Sequence, residues 1–298
     1  MRIGEIKKPA ELLEPDSADP KYEFSNFIKV EKFGERNASK KKLKLLKVID
    51  PAVRAATEED EVVYYITGGM RISTLEQLFV GWIAAYYNLM GFVFTSRRIL
   101  LVHLKSNKKR GTYIGSIDYA DIQKISTSFF GSLTIKFING KSIGFTKIPK
   151  VDRKYLKEFL NSVVNTDAAK NKAARDIRNM CPQCFVEIAD FPEKCMGCAT
   201  AFKKPKTAAW LSLLMPGLGD LYLGSKALGA IELICMLLIW SSIVLDITDP
   251  ASAETELSET LAFALLFFII AHPLDGLKSY YLAKKGLIPT QPVKYSGE

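Results

Sequence analysis

Histidine is nearly absent: the 298 residues hold only His103 and His272. With so little imidazole, no nucleophile–base set can be picked out of the chain. Nor is there a Gly-rich phosphate loop, or a metal-ligand set with a position left open for substrate. These absences argue against an enzyme. An apolar leader is also lacking. The start, "MRIGEIKKPAELLEPDSADP", has no hydrophobic core of the length that export needs. The N-terminal part is therefore expected to stay in the cytosol. Disulfides are not expected either. Four of the five cysteines stand in Cys-x-x-Cys pairs, which suits a reducing compartment and a metal.

Basic charge is scarce at one end and abundant at the other. Residues 207–298 hold 5 Lys/Arg against 9 Asp/Glu, a net of −4, whereas residues 1–206 hold 36 against 23, a net of +13. The stretch 97–150 alone has 11 basic and 2 acidic residues. A basic module of this kind either points to an anionic partner, such as acidic lipid, nucleic acid or an acidic peptide, or is a solvated surface.

Residues 1–60 form a polar N-terminal segment with Pro9, Pro15, Pro20 and Pro51. Within it "SKKKLKLLKVI" (Ser39–Ile49) has the pattern of a basic amphipathic helix. Such a helix meets an anionic membrane surface or packs its leucines on a neighbouring domain. Residues 77–96 carry no charge and are long enough to span a bilayer. However, Leu75, Leu78, Phe79, Trp82, Ile83 and Tyr86 make one helical stripe, so a soluble amphipathic helix is expected there. From 91 to 146 come short β-branched and aromatic runs, separated by turn signals that include "NGK" at Asn139–Lys141. "DRKYLKEFLNSVVN" (Asp152–Asn165) then reads as an amphipathic helix with Asp152 as its N-cap. Residues 166–180 read as a polar, helical connecting segment.

Several antiparallel strands closed by one helix make a recognisable pattern. Residues 61–165 resemble the bacterial pleckstrin-homology-like (PH-like) and GRAM-like domains, through "FTSRRILLV", "SIDYADIQKIS", the "LTIKFINGKSIGF" hairpin and the closing helix. The resemblance implies an antiparallel β-barrel with a C-terminal helix that binds a phospholipid head group or a protein. The candidate head-group residues are Lys105, Lys108, Lys109 and Arg110, which crowd one hairpin loop where ammonium and backbone groups can converge on a phosphate.

Cys181-x-x-Cys184, ten residues, then Cys195-x-x-Cys198 is a strong metal signal. Each pair presents two sulfurs, and four thiolates close a tetrahedral site. The stretch is too short for a core of its own, so metal binding must supply folding energy on the order of 10 kcal/mol. Structural Zn2+ is the expected ion. A redox dithiol would not need the second pair, and iron–sulfur ligation uses the same donors. Residues 181–202 resemble a short zinc ribbon, in which glycine usually follows each second cysteine; here Phe185 and Ala199 stand there. Between its knuckles the only basic residue is Lys194, which argues against nucleic acid as partner.

Residues 207–285 read as a membrane domain. Ala208–Leu223 is apolar but short, and Pro216, Gly217, Gly219 and Asp220 interrupt it. Ala227–Leu245 and Leu257–Leu274 are long enough to span. The loop between them is acidic and lacks Lys and Arg, while both flanks are basic, the C-terminal tail through Lys278, Lys284 and Lys285. The positive-inside rule then gives a multi-pass protein of the cytoplasmic membrane, with both termini cytosolic. The first stretch would be re-entrant or a short helix pair. "LLMPGLGDLYLGSKALGAIELI" and "IWSSIVLDI" resemble the two-transmembrane (TM-two) family, through Gly217, Gly219, Tyr222, Gly224, Lys226, Gly229, Trp240 and Asp246. Asp220-Leu221 stands where that family has His and then Arg or Gln. Polar residues at membrane depth mark candidate sites, here Asp220, Glu232, His272 and Asp275. Alternatively, Glu232 simply packs against a backbone donor or a lysine such as Lys226.

The whole reads as a multidomain α+β chain of prokaryotic flavour: a PH-like barrel, a zinc ribbon and a helical transmembrane region. The expected function is a membrane-anchored cytosolic adaptor. One alternative is a subunit of a small channel or transporter, a homo-oligomer through its membrane helices. Another is a membrane-tethered nucleic-acid binder.

Overall fold

Among the described residues, β-branched and aromatic runs between residues 63 and 146 form seven antiparallel strands. They are β1 (Val63–Arg71), β2 (Leu89–Thr95), β3 (Arg98–Leu104), β4 (Arg110–Asp118), β5 (Ile122–Thr127), β6 (Leu133–Phe137) and β7 (Ser142–Thr146). Two short strands follow, β8 (Arg178–Met180) and β9 (Glu187–Ile188). The structure, a computed structural model, describes residues 19–28, 33–71, 88–105, 109–127, 132–164, 175–188, 191–248 and 254–291. The expected amphipathic helix at 75–86 lies outside the described residues. So do Lys108 and most of the expected connecting helix; the end of that segment, Arg178–Met180, is a strand.

The chain forms two compact units, Met1–Ala189 with Val293–Glu298, and Asp190–Pro292. The first unit is built on one nine-stranded sheet of order β5-β6-β7-β1-β2-β3-β4-β8-β9. A closed PH-like barrel is not what forms. Closure would need β4 to pair with β5, but that edge of β4 is taken by β8, with Ile114 opposite Met180 and Ser116 opposite Arg178. A strand has two edges, and β3 holds the other one. The sheet is therefore open, with β5 and β9 at its ends.

Helix α1 is Phe24–Phe27 and α2 is Phe33–Ala56; α3 is Lys150–Val163. The "SKKKLKLLKVI" pattern belongs to α2, which is twice as long as the pattern suggested and runs through Pro51. Its leucines do not face a membrane. Leu43, Leu46, Ile49 and Val53 are buried. Leu45 and Ile49 lie over Gly68 and Gly91, where absent side chains let the helix approach the sheet. Nearly every residue of β2 and β3 is consequently buried, which explains their unbroken apolar runs.

Helix α3 starts two residues earlier than expected, after Pro149, and Asp152 does not cap it. Asp152 is instead a buried acceptor. Lys42 of α2 reaches its Oδ1 at 2.9 Å. Tyr65 donates to the same oxygen at 2.9 Å and Thr67 donates to Oδ2 at 2.6 Å. One carboxylate thus ties α2, β1 and α3 together. A second buried pair, Arg98 to Glu61 at 2.9 Å, holds the β2–β3 turn. Burial alone would push the Glu61 carboxyl up. Hydrogen bonds from Arg98 and Thr95, with the Arg98 charge, outweigh burial and hold it below its ordinary value.

The second unit contains α4 (Pro205–Leu214), α5 (Leu218–Leu223), α6 (Lys226–Thr248) and α7 (Glu254–Gly286). The interrupted apolar stretch is a short helix pair, α4 and α5, broken where Gly217 adopts a left-handed φ of 93°. That turn backs directly onto α6: a Cβ on Gly217 would sit 2.6 Å from the Gly229 carbonyl oxygen. Among the described residues, two helices are long and apolar enough to cross a membrane, Lys226–Thr248 and Ser258–Lys284. They are not core helices. Leu238 is 66% exposed and Leu245 68%, as are Leu265 at 61% and Leu266 at 58%. Side chains of this kind, left uncovered around a helix, suit acyl chains better than water.

Candidate metal centre and membrane polar cluster

The two Cys-x-x-Cys pairs fold into matching turns. In the first, Phe185 N–H donates to the Cys181 carbonyl and Cys181 N–H to the Val186 carbonyl, each at 2.9 Å. In the second, Ala199 N–H donates to the Cys195 carbonyl and Cys195 N–H to the Thr200 carbonyl, again at 2.9 Å. The first turn is anchored to the sheet by β8 and β9. The second is anchored by a bridge from Lys194 to Ala201. Cys181 and Cys195 are buried, while Cys184 and Cys198 are partly exposed.

The four sulfurs lie within 4.8 Å of one another. A tetrahedral ion with bonds of about 2.3 Å would draw sulfurs to about 3.8 Å, so the arrangement fits such an ion with little movement. Gly197 N–H points at Cys195 Sγ at 3.4 Å, a donor that suits a thiolate. The four cysteines could therefore hold a metal ion, and their sulfurs leave no open position for substrate. Cys235 stands apart on α6, exposed.

The absence of glycine after each second cysteine does not change the turn. Phe185 has φ 59° and Ala199 φ 57°, so both take the left-handed conformation that glycine adopts without cost. The stretch tolerates that strain, and relieving it gives a measurable gain. Replacing Ala199 by Gly is expected to stabilise the metal-loaded chain by about 1 kcal/mol. A thermal midpoint that stays level or falls would contradict this geometry.

The candidate head-group loop joins β3 to β4. Lys105 N–H donates to the Lys109 carbonyl at 2.8 Å, which closes the hairpin. Lys105 and Lys109 are exposed and Arg110 is half-buried at the start of β4. The structure thus brings three of the four predicted residues to one hairpin end.

In the second unit three of the four predicted polar residues meet. Asp220, Glu232 and Asp275 offer carboxylate oxygens within 4.8 Å of one another. Lys278 joins them all, at 2.8 Å to Asp220, 2.6 Å to Glu232 and 2.5 Å to Asp275. The Gly217 amide adds a hydrogen bond to Asp275 at 3.0 Å. Glu232 is therefore paired with a lysine, but the lysine is Lys278, not Lys226. Sequence reasoning took Lys278 for a tail charge. Its place three residues after Asp275, on the same face of a helix, was the available signal. The fourth residue, His272, is buried apart from the lysine and points Nδ1 at the Leu213 carbonyl at 2.8 Å. Sequence reasoning also missed the buried Ser212–Ser279 pair, 2.7 Å apart, which packs against Gly219.

No family model matches the chain. No curated protein matches it either. Among solved structures there is a match to the C-terminal domain of an unknown protein from Leishmania infantum. It is 12% identical, covers 40% of this chain and 94% of that one, and has a TM-score of 0.26. A likeness at that score carries no argument about fold or function.

Proposed function

We propose that this protein is a membrane-anchored adaptor. In this reading α6 and α7 cross the cytoplasmic membrane twice, and both termini stay in the cytosol. The sheet unit is a binding domain on an open antiparallel sheet, whose β3–β4 hairpin contacts anionic head groups. The four cysteines hold a structural Zn2+. The observation that carries the reading is the joining, in one chain, of a hairpin rich in exposed lysine to two long helices with uncovered apolar side chains. The acidic loop between those helices, set against basic flanks, supports the orientation.

The test uses the whole chain in nanodiscs of zwitterionic lipid, mixed with separate vesicles that contain anionic lipid. Vesicle flotation should carry the nanodiscs along at low salt, and less so as salt rises. Changing Lys105, Lys108, Lys109 and Arg110 to Ala should weaken this at least about tenfold, since each basic residue near such a surface contributes about 1 kcal/mol. Absence of co-flotation at low salt would leave the hairpin without a lipid role and turn the search to a protein partner.

A further inference from the structure

We infer that the second unit is a wedge, wide in the cytosolic half of the bilayer and narrow in the outer half, and that it favours lipid surfaces that bulge toward the cytosol. The inference rests on the reading that α6 and α7 cross the membrane. Its basis is the path of α4 and α5. Helix α4 runs antiparallel to α7: Ala208 packs with Ala283, Ser212 meets Ser279 at 2.7 Å, and the Leu213 carbonyl meets His272 Nδ1 at 2.8 Å. The chain then turns at 215–217 and comes back. By Tyr222 it is again beside its starting point, where Lys203 donates to the Tyr222 carbonyl and the Lys204 amide donates to the Tyr222 hydroxyl at 3.1 Å. A segment that begins and ends at one level enters the bilayer and leaves it on the same side.

Length and chemistry agree with a half crossing. The 10 residues of α4 reach about 15 Å, half of a hydrocarbon core about 30 Å thick. The open end of the hairpin carries Lys203, Lys204, Lys206, Lys226 and Lys284, the charge expected among cytosolic head groups. At the tip, broken backbone must find partners without water. Helix α7 supplies them. A carbonyl only accepts, so His272 donates to Leu213, and the Asp275 carboxylate accepts from the Gly217 amide at 3.0 Å.

Four described helical segments therefore share the cytosolic half, and only α6 and α7 continue beyond it. The boundary lies near Trp240, whose ring touches both His272 and Phe268. Among the described residues, Ile243 is the one buried side chain beyond Trp240 on α6 or before Phe268 on α7. On the cytosolic side Ala208, Ser212, Asp220 and Ser279 are all fully buried. Lipid, not a second copy, suits the narrow half. Helix pairs in membranes are drawn together by small or polar side chains. The large exposed side chains here are Val244, Leu245, Leu261, Phe263 and Leu265, and the Ser242 hydroxyl donates to the Ile239 carbonyl of its own helix at 2.8 Å. An inclusion of this shape spreads the cytosolic leaflet more than the outer one. It fits best where that leaflet is already spread, on the convex face of a curved bilayer.

The experiment takes the whole zinc-loaded chain, with one fluorophore, in phosphatidylcholine vesicles of mixed diameter. Neutral lipid removes any pull from the β3–β4 hairpin. Protein per lipid area is read vesicle by vesicle, for chains whose first unit is open to protease added outside. Density should rise about twofold or more from the largest vesicles to the smallest. Trp210→Ala with Leu214→Ala trims the wide half at positions 65% and 71% exposed, and should flatten the rise. Leu245→Ala with Leu261→Ala trims the narrow half, and should steepen it. The opposite signs separate a wedge from the bulk of the first unit, which would leave both variants like the native chain. A flat native profile, or variants that match the native profile, overturns the inference and leaves the membrane reading standing. So does a fixed dimer, seen as two bleaching steps in vesicles of every size, because a second copy then fills the narrow half. Loss of the chain from the vesicles in an alkaline wash overturns the membrane reading, and the wedge with it.

Discussion

Serine in place of Cys181 and Cys195 should abolish metal binding and unfold the stretch around both turns. A bound ion contributes on the order of 10 kcal/mol to such a site, and the short segment has little else to hold it. Both residues are buried, so each substitution also leaves a polar hydroxyl without an ion. Elemental analysis of the purified chain should fall from one zinc per chain to none. Protease cleavage between residues 181 and 202 should appear at the same time. Cys235→Ser, on the exposed face of α6, serves as the control and should change neither. Zinc retained at full stoichiometry in the double variant would sink the metal-centre account. The first unit's core should survive the loss, since it is continuous from Tyr22 to Leu160 and needs little from the cysteine stretch.

Asp152→Ala should cost the first unit about 3–5 kcal/mol, a large part of any domain's stability. The reason is what it leaves behind. Lys42 remains with only 8% of its surface exposed, and Tyr65 and Thr67 lose the acceptor to which they donate. A buried ammonium that has lost its carboxylate is the most expensive of these. Adding Lys42→Met to the variant should therefore recover much of the loss. Urea unfolding followed by near-ultraviolet dichroism reads both values. If the double variant is as unstable as the sum of the two single variants, the groups are not coupled and the network is wrongly drawn.

Much of this architecture was legible because local chemistry dictated it. The strands of β2 to β7 announced themselves by β-branched runs between strong turns. The cysteine spacing alone gave four donors to one ion, and the apolar lengths of α6 and α7 gave two helices able to span. What escaped was set by contacts distant in sequence. Nothing near Val63 or Arg178 says that these residues extend the sheet, and it is β8 on the edge of β4 that prevents the expected barrel closure. Asp152 looked like a cap because it precedes a helical pattern; only tertiary contact with Lys42, some hundred positions away, makes it a buried counter-ion. Lys278 looked like a tail charge for the same reason. Its partners Asp220 and Glu232 lie on other helices, and a one-dimensional reading sees only its neighbours. Phe185 and Ala199 mark the opposite case. They stand where a ribbon usually has glycine, yet the backbone takes the glycine-like conformation regardless.

Topology tests the central claim most directly. Place a single reactive cysteine at Ala251, in the acidic segment between α6 and α7, and in a second chain at Lys109, on the β3–β4 hairpin. Treat intact cells and lysed cells with a membrane-impermeant thiol reagent. The account predicts that the Ala251→Cys site is labelled in intact cells and that the Lys109→Cys site is labelled only after lysis, with the protein resisting alkaline extraction from the membrane fraction. Labelling of Lys109→Cys in intact cells, or release of the chain by alkali, would contradict it.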